Sequence, residues 1–184
     1  MFFSIRQAVA ADIPVLNQLV QRSIRQLGGN YYNARQVESS LKYLFGIDSR
    51  VVEDGTYYVV EAEGVIVACG GWSRRRTPFG GDQAGELQDS GLRDPTVDAA
   101  VIRAFFVHPD WARRGIGKQL LDYCEAQALK EGYGWFELTA TLSGYPLYVR
   151  YGYQDVEKID IKLLDGTQLG GVKMKKHPAP ITAL

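Results

Sequence analysis

The sequence predicts a mixed α/β fold, with a central sheet of six to seven strands and about four flanking helices. Two observations support this prediction. Apolar runs and amphipathic stretches follow one another in the order strand, two helices, three strands, helix, strand, helix, two strands. Residues 104–132 join a strand, a glycine-containing turn and an amphipathic helix without interruption. The 184 residues fit one domain, expected over residues 1–177, with a loose tail over residues 178–184.

The N-terminal part predicts one strand and two helices. Residues 3–8 have the composition of a strand. Asp12 is a suitable N-cap for the helix that follows, with Pro14 in its first turn. After the glycine pair at residues 28–29, Asn33 can cap a second helix whose apolar positions fall on one face.

Two strands and a long polar segment come next. Residues 56–61 and 65–72 flank a Glu63-Gly64 turn and predict a hairpin. Residues 73–97 have no hydrophobic period, which predicts an insertion that could fold over a functional site. The arginines at residues 74–76 either bind an acidic group or form a solvated charge run.

The central strand covers residues 101–107 and ends before Pro109, which has no backbone donor for a ladder. The amphipathic helix then begins near Ile116 and ends at Gly132. Alternation along the strand is expected to place four side chains on one face: Val101, Arg103, Phe105 and Val107.

The start of this helix predicts an anion site. Gly115 and Gly117 have no Cβ, so an anion can approach the backbone amides there. Arg113, Arg114 and Lys118 put positive charge where a helix favours acids, at ~0.3–1 kcal/mol per charge. We therefore expect a bound phosphate or pyrophosphate, the alternative being a solvated basic turn.

The C-terminal part predicts three more strands and a short helix. The strands are expected at residues 135–140, 156–163 and 170–175. The helix is expected at residues 143–151, with Ser143 as its N-cap.

Composition narrows the function classes. Lys and Arg together number 21, as do Asp and Glu, so no net charge favours nucleic acid as a partner. No apolar run reaches the ~18 residues that span a bilayer, and the N-terminus lacks a signal-peptide pattern. We expect a cytoplasmic protein with no membrane partner. Cys69 and Cys124 are expected to be core thiols, and no Cys/His cluster predicts a metal site.

The order of elements, the run R-R-G-I-G-K and the later run L-Y-V-R-Y-G-Y at residues 147–153 resemble the GNAT superfamily of N-acetyltransferases. The resemblance covers roughly residues 5–175. The family's loop, Gln/Arg-x-x-Gly-x-Gly/Ala, cradles the pyrophosphate of coenzyme A. Residues 115–117 match its glycines, whereas Ala112 stands where Gln or Arg is usual.

This resemblance implies a mostly antiparallel, GNAT-like sheet with a splay between the strands at residues 104–107 and 135–140, where pantetheine inserts. It implies acetyl-CoA as cosubstrate and allows a homodimer, since family members often pair. The cofactor-binding positions that follow are Phe105, Phe106, Val107, Arg113, Arg114, Gly115, Ile116, Gly117, Lys118 and Ser143.

Tyr148 is the expected catalytic residue. It matches the tyrosine of the family's Tyr-x-x-x-Gly-Phe/Tyr motif, which ends here in Gly152 and Tyr153. A phenol, with a pKa of ~10, can donate a hydrogen bond or a proton to a departing thiolate, whose thiol has a pKa of ~8.5.

The sequence does not assign the general base to one residue. Some family members place a Glu where this sequence has Val101, which cannot accept a proton. Asp98, Glu61, Glu137 and His108 lie on or next to neighbouring strands, and a water relay to a carboxylate is a further alternative.

The leading function is therefore an acyl-CoA-dependent N-acetyltransferase that acts on a primary amine of a small molecule or peptide. A non-catalytic acyl-CoA sensor is the alternative. A nucleotide-binding domain is disfavoured, because neither G-x-x-x-x-G-K-[ST] nor G-x-G-x-x-G occurs around Gly115.

Overall fold

The computed structural model of the chain describes residues 3–87 and 91–178. Within these residues, seven strands form one sheet in the order β1-β2-β3-β4-β5-β7-β6, and five α-helices flank it. The predicted mixed, mostly antiparallel α/β fold is confirmed. The strands are β1 Ser4–Gln7, β2 Tyr57–Ala62, β3 Val65–Ser73, β4 Ala100–Val107, β5 Phe136–Thr141, β6 Gln154–Lys162 and β7 Gln168–Lys176. The helices are α1 Ile13–Gln26, α2 Ala34–Tyr43, α3 Ser49–Glu53, α4 Ile116–Lys130 and α5 Tyr145–Arg150.

Two expected segments fall partly outside this description. Residues 179–184 of the predicted tail and residues 88–90 of the predicted insertion lie outside the described residues. Helix α3 was not predicted, because a five-residue helix is too short to show a helical period.

The sheet opens between β4 and β5. These two strands are parallel and pair at only two positions, Ala100 with Phe136 and Val101 with Glu137. Beyond Val101 the two strands separate, so one edge of β4 has no strand partner there. The splay implied by the family resemblance is present.

The sheet separates two hydrophobic cores. One core packs α1, α2 and α3 against the sheet through residues such as Leu16, Val37 and Val51. The other packs α4 and α5 against the opposite face through Leu120 and Tyr148. Burial on both faces explains why the central strands are apolar along their whole length.

A β-bulge in β4 corrects the predicted facing of its side chains. Phe106 pairs with Cys69 and Arg103 pairs with Gly71, so two β4 residues oppose one β3 residue. The inserted Ala104 has a φ of 54°. This extra residue reverses the alternation, so the prediction that Arg103 and Phe105 share a face is wrong.

Two contacts stabilise the bulge. The Tyr57 hydroxyl donates a hydrogen bond to the Ala104 carbonyl oxygen at 2.7 Å. Gly70 lies under the Phe105 ring, where a Cβ would come within 2.6 Å of the ring. Only glycine at position 70 lets Phe105 pack so closely over β3.

Of the three predicted N-caps, Asn33 caps its helix, Asp12 occupies the N-cap position without a capping hydrogen bond, and Ser143 is not the N-cap residue. Asn33 Oδ1 accepts the Gln36 amide at 2.9 Å, and the Gln36 side chain returns to the Asn33 amide at 3.0 Å. The Asp12 carboxylate instead binds Arg6 at 2.8 Å and accepts the Val9 amide at 2.9 Å, so it caps no amide of α1. The N-cap of helix α5 is Gly144, one residue after the predicted Ser143. Ser143 Oγ instead lies 3.1 Å from Thr141 Oγ1.

Candidate active site

A cleft of about 690 Å³ lies where β4 and β5 separate. It is lined by residues of both hydrophobic cores, so it passes from the α4 side of the sheet to the α1 side. Tyr148 and all the predicted cofactor-binding residues except Arg114 line it. The Arg114 guanidinium instead lies 4.8 Å from the centre of the Trp111 ring.

The N-terminus of α4 forms one end of this cleft. Gly115 is the N-cap residue with a φ of 83°, and no side chain caps the helix there. The first helical hydrogen bond joins the Gln119 amide to the Gly115 carbonyl oxygen at 3.1 Å. Among the described residues, the amides of Ile116, Gly117 and Lys118 therefore keep the unpaired donors of a helix start.

These amides make the α4 end suited to an anion. The positive end of the helix dipole and the amides point at the same place, and a Cβ on Gly115 would meet no atom within 4 Å. Arg113 is exposed beside them. Lys118 forms an ion pair with Asp122 one helical turn further on, so part of its positive charge is offset and less is available to a bound anion.

The open edge of β4 forms the middle of the cleft. The His108 amide donates to the Val67 carbonyl oxygen of β3 at 2.8 Å. Because ladder groups alternate along a strand, the main-chain groups of Phe105 and Val107 point the other way, into the gap between β4 and β5. This edge can therefore pair with an extended polar ligand as a neighbouring strand would.

Tyr148 lies beside that edge. Its ring packs edge-to-face against Phe105, with centroids 6.4 Å apart, and against Tyr153 at 5.6 Å. Its hydroxyl has no hydrogen-bond partner in the part of the chain that is described. Burial, together with the nearby Cys124, raises the pKa of Tyr148 above its ordinary value. The phenol is thus protonated at neutral pH and is free to act as a donor.

A buried polar network holds the ring behind Tyr148. Tyr153 donates its hydroxyl hydrogen to Glu125 Oε1 at 2.9 Å, and Lys176 Nζ lies 2.6 Å from Glu125 Oε2. Charge-assisted hydrogen bonds of this kind are the strong ones. Tyr153 is therefore a fixed surface against which the Tyr148 ring packs.

The other end of the cleft, which we call the apolar end, is lined almost entirely by hydrophobic side chains. They are Ile24 of α1, Leu27 directly after α1, Phe45, Pro78, Phe79 and Phe106, and the polar side chains there are Ser23 and Arg103. Pro78 and Phe79, which belong to the predicted insertion, form part of one wall of the cleft. The arginines of the insertion do not reach the cleft: Arg75 pairs with Asp54 at 2.7 Å and Arg74 lies over Trp72.

A buried ion pair joins the apolar end to β4. Arg103 donates to Asp48 Oδ2 at 3.0 Å and to the Gly80 carbonyl oxygen at 2.6 Å. Burial alone would raise the pKa of Asp48, but the hydrogen bond from Arg50 and the charge of Arg103 hold it below its usual value. Asp48 therefore stays ionised and is fully engaged by the two arginines.

The comparison with known families agrees with this geometry. The family described as acetyltransferase (GNAT) domain matches residues 53–155 of the sequence, which is more than half of the chain. The chain belongs to the GNAT acetyltransferase family. No curated protein gives a significant match to the sequence.

Solved GNAT structures share the fold at low identity. The GCN5-related N-acetyltransferase from Rhodopseudomonas palustris has a TM-score of 0.70 and 20% identity, covering 97% of this chain and 99% of that one. The PaiA N-acetyltransferase from Thermoplasma acidophilum, in complex with coenzyme A, has a TM-score of 0.67 and 15% identity, with 97% and 100% coverage. A GNAT family acetyltransferase from Brucella melitensis, in complex with acetyl-CoA, has a TM-score of 0.58 and 16% identity, with 97% and 90% coverage.

The acidic candidates for a general base in this GNAT chain are engaged elsewhere. Glu61 pairs with Arg6 at 2.9 Å, and Glu137 pairs with Arg93 at 2.6 Å. Asp98 accepts the Asp94 amide at 2.8 Å.

His108, the remaining candidate, is also engaged. Its Nδ1 accepts the Asp110 amide at 3.2 Å, and its Nε2 lies 2.7 Å from Arg22. Among the described residues, no Asp, Glu or His lines the cleft. The charged residues that do line it are Arg103, Arg113, Lys118 and Arg150.

Sequence reasoning offered Phe45 either as part of a substrate wall or as packing under a loop, but it did not assign Arg103 to the site. A lone arginine in the apolar strand at residues 101–107 was the available signal, since a buried charge requires a partner. That partner, Asp48, is 55 residues away and no local pattern identifies it.

Removal of one member of the buried pair should destabilise the fold. Asp48→Asn leaves Arg103 buried without a countercharge, and we expect a loss of ~3 kcal/mol in the free energy of unfolding, measured by urea denaturation. The control is Glu38→Gln, which breaks the exposed pair with Arg25 and should leave the urea midpoint unchanged. Equal midpoints for the two variants would contradict the role of the Asp48–Arg103 pair.

The described residues offer neither a metal-binding cluster nor a membrane-spanning helix. Across the described ranges 3–87 and 91–178, no group of three or more His, Cys, Asp or Glu side chains is placed to hold a metal ion. Of the helices in those ranges, none has both the length and the apolar character needed to cross a bilayer.

Proposed function

We propose that this GNAT chain is an N-acetyltransferase that transfers the acetyl group of acetyl-CoA to a primary amine of a small molecule or peptide. One observation carries the proposal. A single cleft connects the uncapped start of α4, the open edge of β4 and the free hydroxyl of Tyr148. Two of the similar structures are complexes with coenzyme A or acetyl-CoA, which supports the same cosubstrate here.

Each part of the cleft has a role in this proposal. The amides of Ile116, Gly117 and Lys118 receive the pyrophosphate, because they are unpaired donors at the positive end of a helix. The β4 edge at Phe105 and Val107 binds the amide-containing pantetheine arm and polarises the acyl carbonyl. Bound acetyl-CoA supplies an activated carbonyl in its thioester.

Tyr148 is the proposed donor to the leaving sulfur. Its raised pKa keeps the phenolic hydrogen in place, and its hydroxyl has no competing partner in the described residues. Ser143, which lines the cleft next to Thr141, is a second polar contact for the cosubstrate.

A non-catalytic acyl-CoA sensor is the second candidate. The observation that favours it is the lack of a carboxylate or imidazole among the described cleft residues. The hydroxyl of Tyr148 favours an enzyme, because it lines the cleft and no hydrogen bond within the described residues keeps it from donating to a ligand there.

Acetyl-CoA should stabilise the protein. At about 100 times the dissociation constant, one-site binding contributes ~2.7 kcal/mol, which corresponds to a melting-temperature rise of roughly 5–10 °C for a chain of this size. Thermal unfolding with and without acetyl-CoA measures the shift, and thiol release with a panel of amines measures turnover. A shift with no thiol release would identify the sensor, and no shift at millimolar acetyl-CoA would contradict both candidates.

A further inference from the structure

The apolar end gives information about the acceptor, provided that the proposed acetyl transfer is correct. It lies across β4 from the α4 end, so it is the part of the cleft left for the second substrate. Phe45 and Phe106 meet edge-to-face at 6.2 Å and form one wall. Ile24 is buried and Phe79 is half-buried on the facing walls. Such a surface binds an apolar body, because burial removes its apolar surface from water.

The same end offers nothing that would bind an ammonium group. A buried cation needs a paired countercharge, and no acidic side chain lines the cleft in the described part of the chain. Asp48, the acid that pairs with Arg103, is buried and is held by Arg103 and Arg50. Arg103, the charged side chain that lines this end, has only donor groups and is held by Asp48 and Gly80, so it offers no acceptor to an ammonium.

Within residues 3–87 and 91–178, no Asp, Glu or His described at the cleft wall could remove a proton from an ammonium. An alkyl ammonium has a pKa of ~10, so only about one part in a thousand is neutral at pH 7. Glu61, Glu137, Asp98 and His108 all have partners elsewhere in the fold. The acceptor must therefore carry its lone pair when it arrives.

We infer that the acceptor is an apolar amine that is uncharged at neutral pH, of the arylamine class, with its ring in the apolar end and its nitrogen towards Tyr148. The amine lone pair attacks the thioester carbonyl carbon, the C–N bond forms and the C–S bond breaks. The sulfur takes the electron pair and, through the Tyr148 hydroxyl, a proton. The amine proton released from nitrogen re-protonates Tyr148 through water, so the products are a neutral amide and free coenzyme A thiol.

The test compares two acceptors with one ring, aniline and benzylamine, by thiol release from acetyl-CoA between pH 6 and pH 9. We expect aniline to be acylated with a kcat/KM that is flat from pH 6 to pH 8. For benzylamine, kcat/KM should rise about tenfold per pH unit, following the neutral fraction of the free amine.

A matched pair of variants at position 27 tests whether a carboxylate in the apolar end would let the site accept an ammonium group. Leu27 is half-buried on the wall of the apolar end, and Leu27→Glu adds a carboxylate there. Leu27→Gln has the same size without the charge. Relative to the Gln variant, the Glu variant should raise the ratio of benzylamine to aniline kcat/KM by about tenfold at pH 7.

Different outcomes contradict the inference about the acceptor and the proposed acetyl transfer. A benzylamine profile that levels off near pH 7 would reveal a base on the protein and overturn the inference alone, as would acylation of benzylamine but not of aniline. Equal ratios for the two Leu27 variants would also overturn it. If acetyl-CoA shifts the melting temperature but no amine in a panel that includes 1,6-diaminohexane and a peptide releases thiol, the proposed acetyl transfer itself is wrong.

Discussion

Tyr148→Phe is expected to lower kcat by about 100-fold while changing the dissociation constant of acetyl-CoA by less than about twofold. Loss of a positioned proton donor typically costs 10²–10⁴-fold in rate. The phenyl ring keeps the packing against Phe105 and Tyr153, and no hydrogen bond within the described residues is lost. Steady-state thiol release gives kcat, and isothermal titration gives the dissociation constant.

Tyr153→Phe is the matched control, because Tyr153 is a buried tyrosine of the same cluster whose hydroxyl does have a partner, Glu125. This variant should lose about 1.5–3 kcal/mol of stability and less than tenfold in kcat. If the two variants showed the reverse pattern, Tyr148 would be a packing residue and the proposed donor role would be lost.

Gly115→Asp is expected to weaken acetyl-CoA binding by about 30–100-fold relative to Gly115→Asn. Both side chains must adopt a left-handed backbone, since Gly115 has a φ of 83°, and both should cost about 1 kcal/mol of stability. Neither meets a neighbouring atom at Cβ. Only the Asp variant adds a negative charge where we propose that the pyrophosphate binds. Repulsion at ~5 Å with an effective dielectric constant of ~20 is about 3 kcal/mol before salt screening, and screening leaves roughly 2–3 kcal/mol.

The dissociation constants of acetyl-CoA for the two variants are measured by titration calorimetry at two salt concentrations. Repulsion at this exposed helix end should weaken as salt rises, so the ratio between the Asp and Asn variants should shrink. Equal dissociation constants for the two variants would place the pyrophosphate away from the start of α4 and remove the main support for the acetyl-CoA site.

Local patterns were enough for several parts of the site. The strand, glycine turn and helix at residues 104–132, the helix cap at Asn33 and the position of Tyr148 in α5 were all predicted from residues close together in sequence. Hydrophobic period, a missing Cβ and a capping side chain act over one or two turns of chain, so a single sequence shows them directly.

The sequence by itself determined the order of the elements, apart from α3, and the basic, glycine-containing start of α4, because both follow from short-range backbone and charge preferences. Only the tertiary structure decided which way β4 faces, what covers the apolar end and whether any acid reaches the cleft. The bulge at Ala104 depends on Tyr57 and Gly70, and Arg103 depends on Asp48, each from a different part of the chain. Such partners are chosen by the packing of the whole sheet, so no local pattern of residues could have identified them.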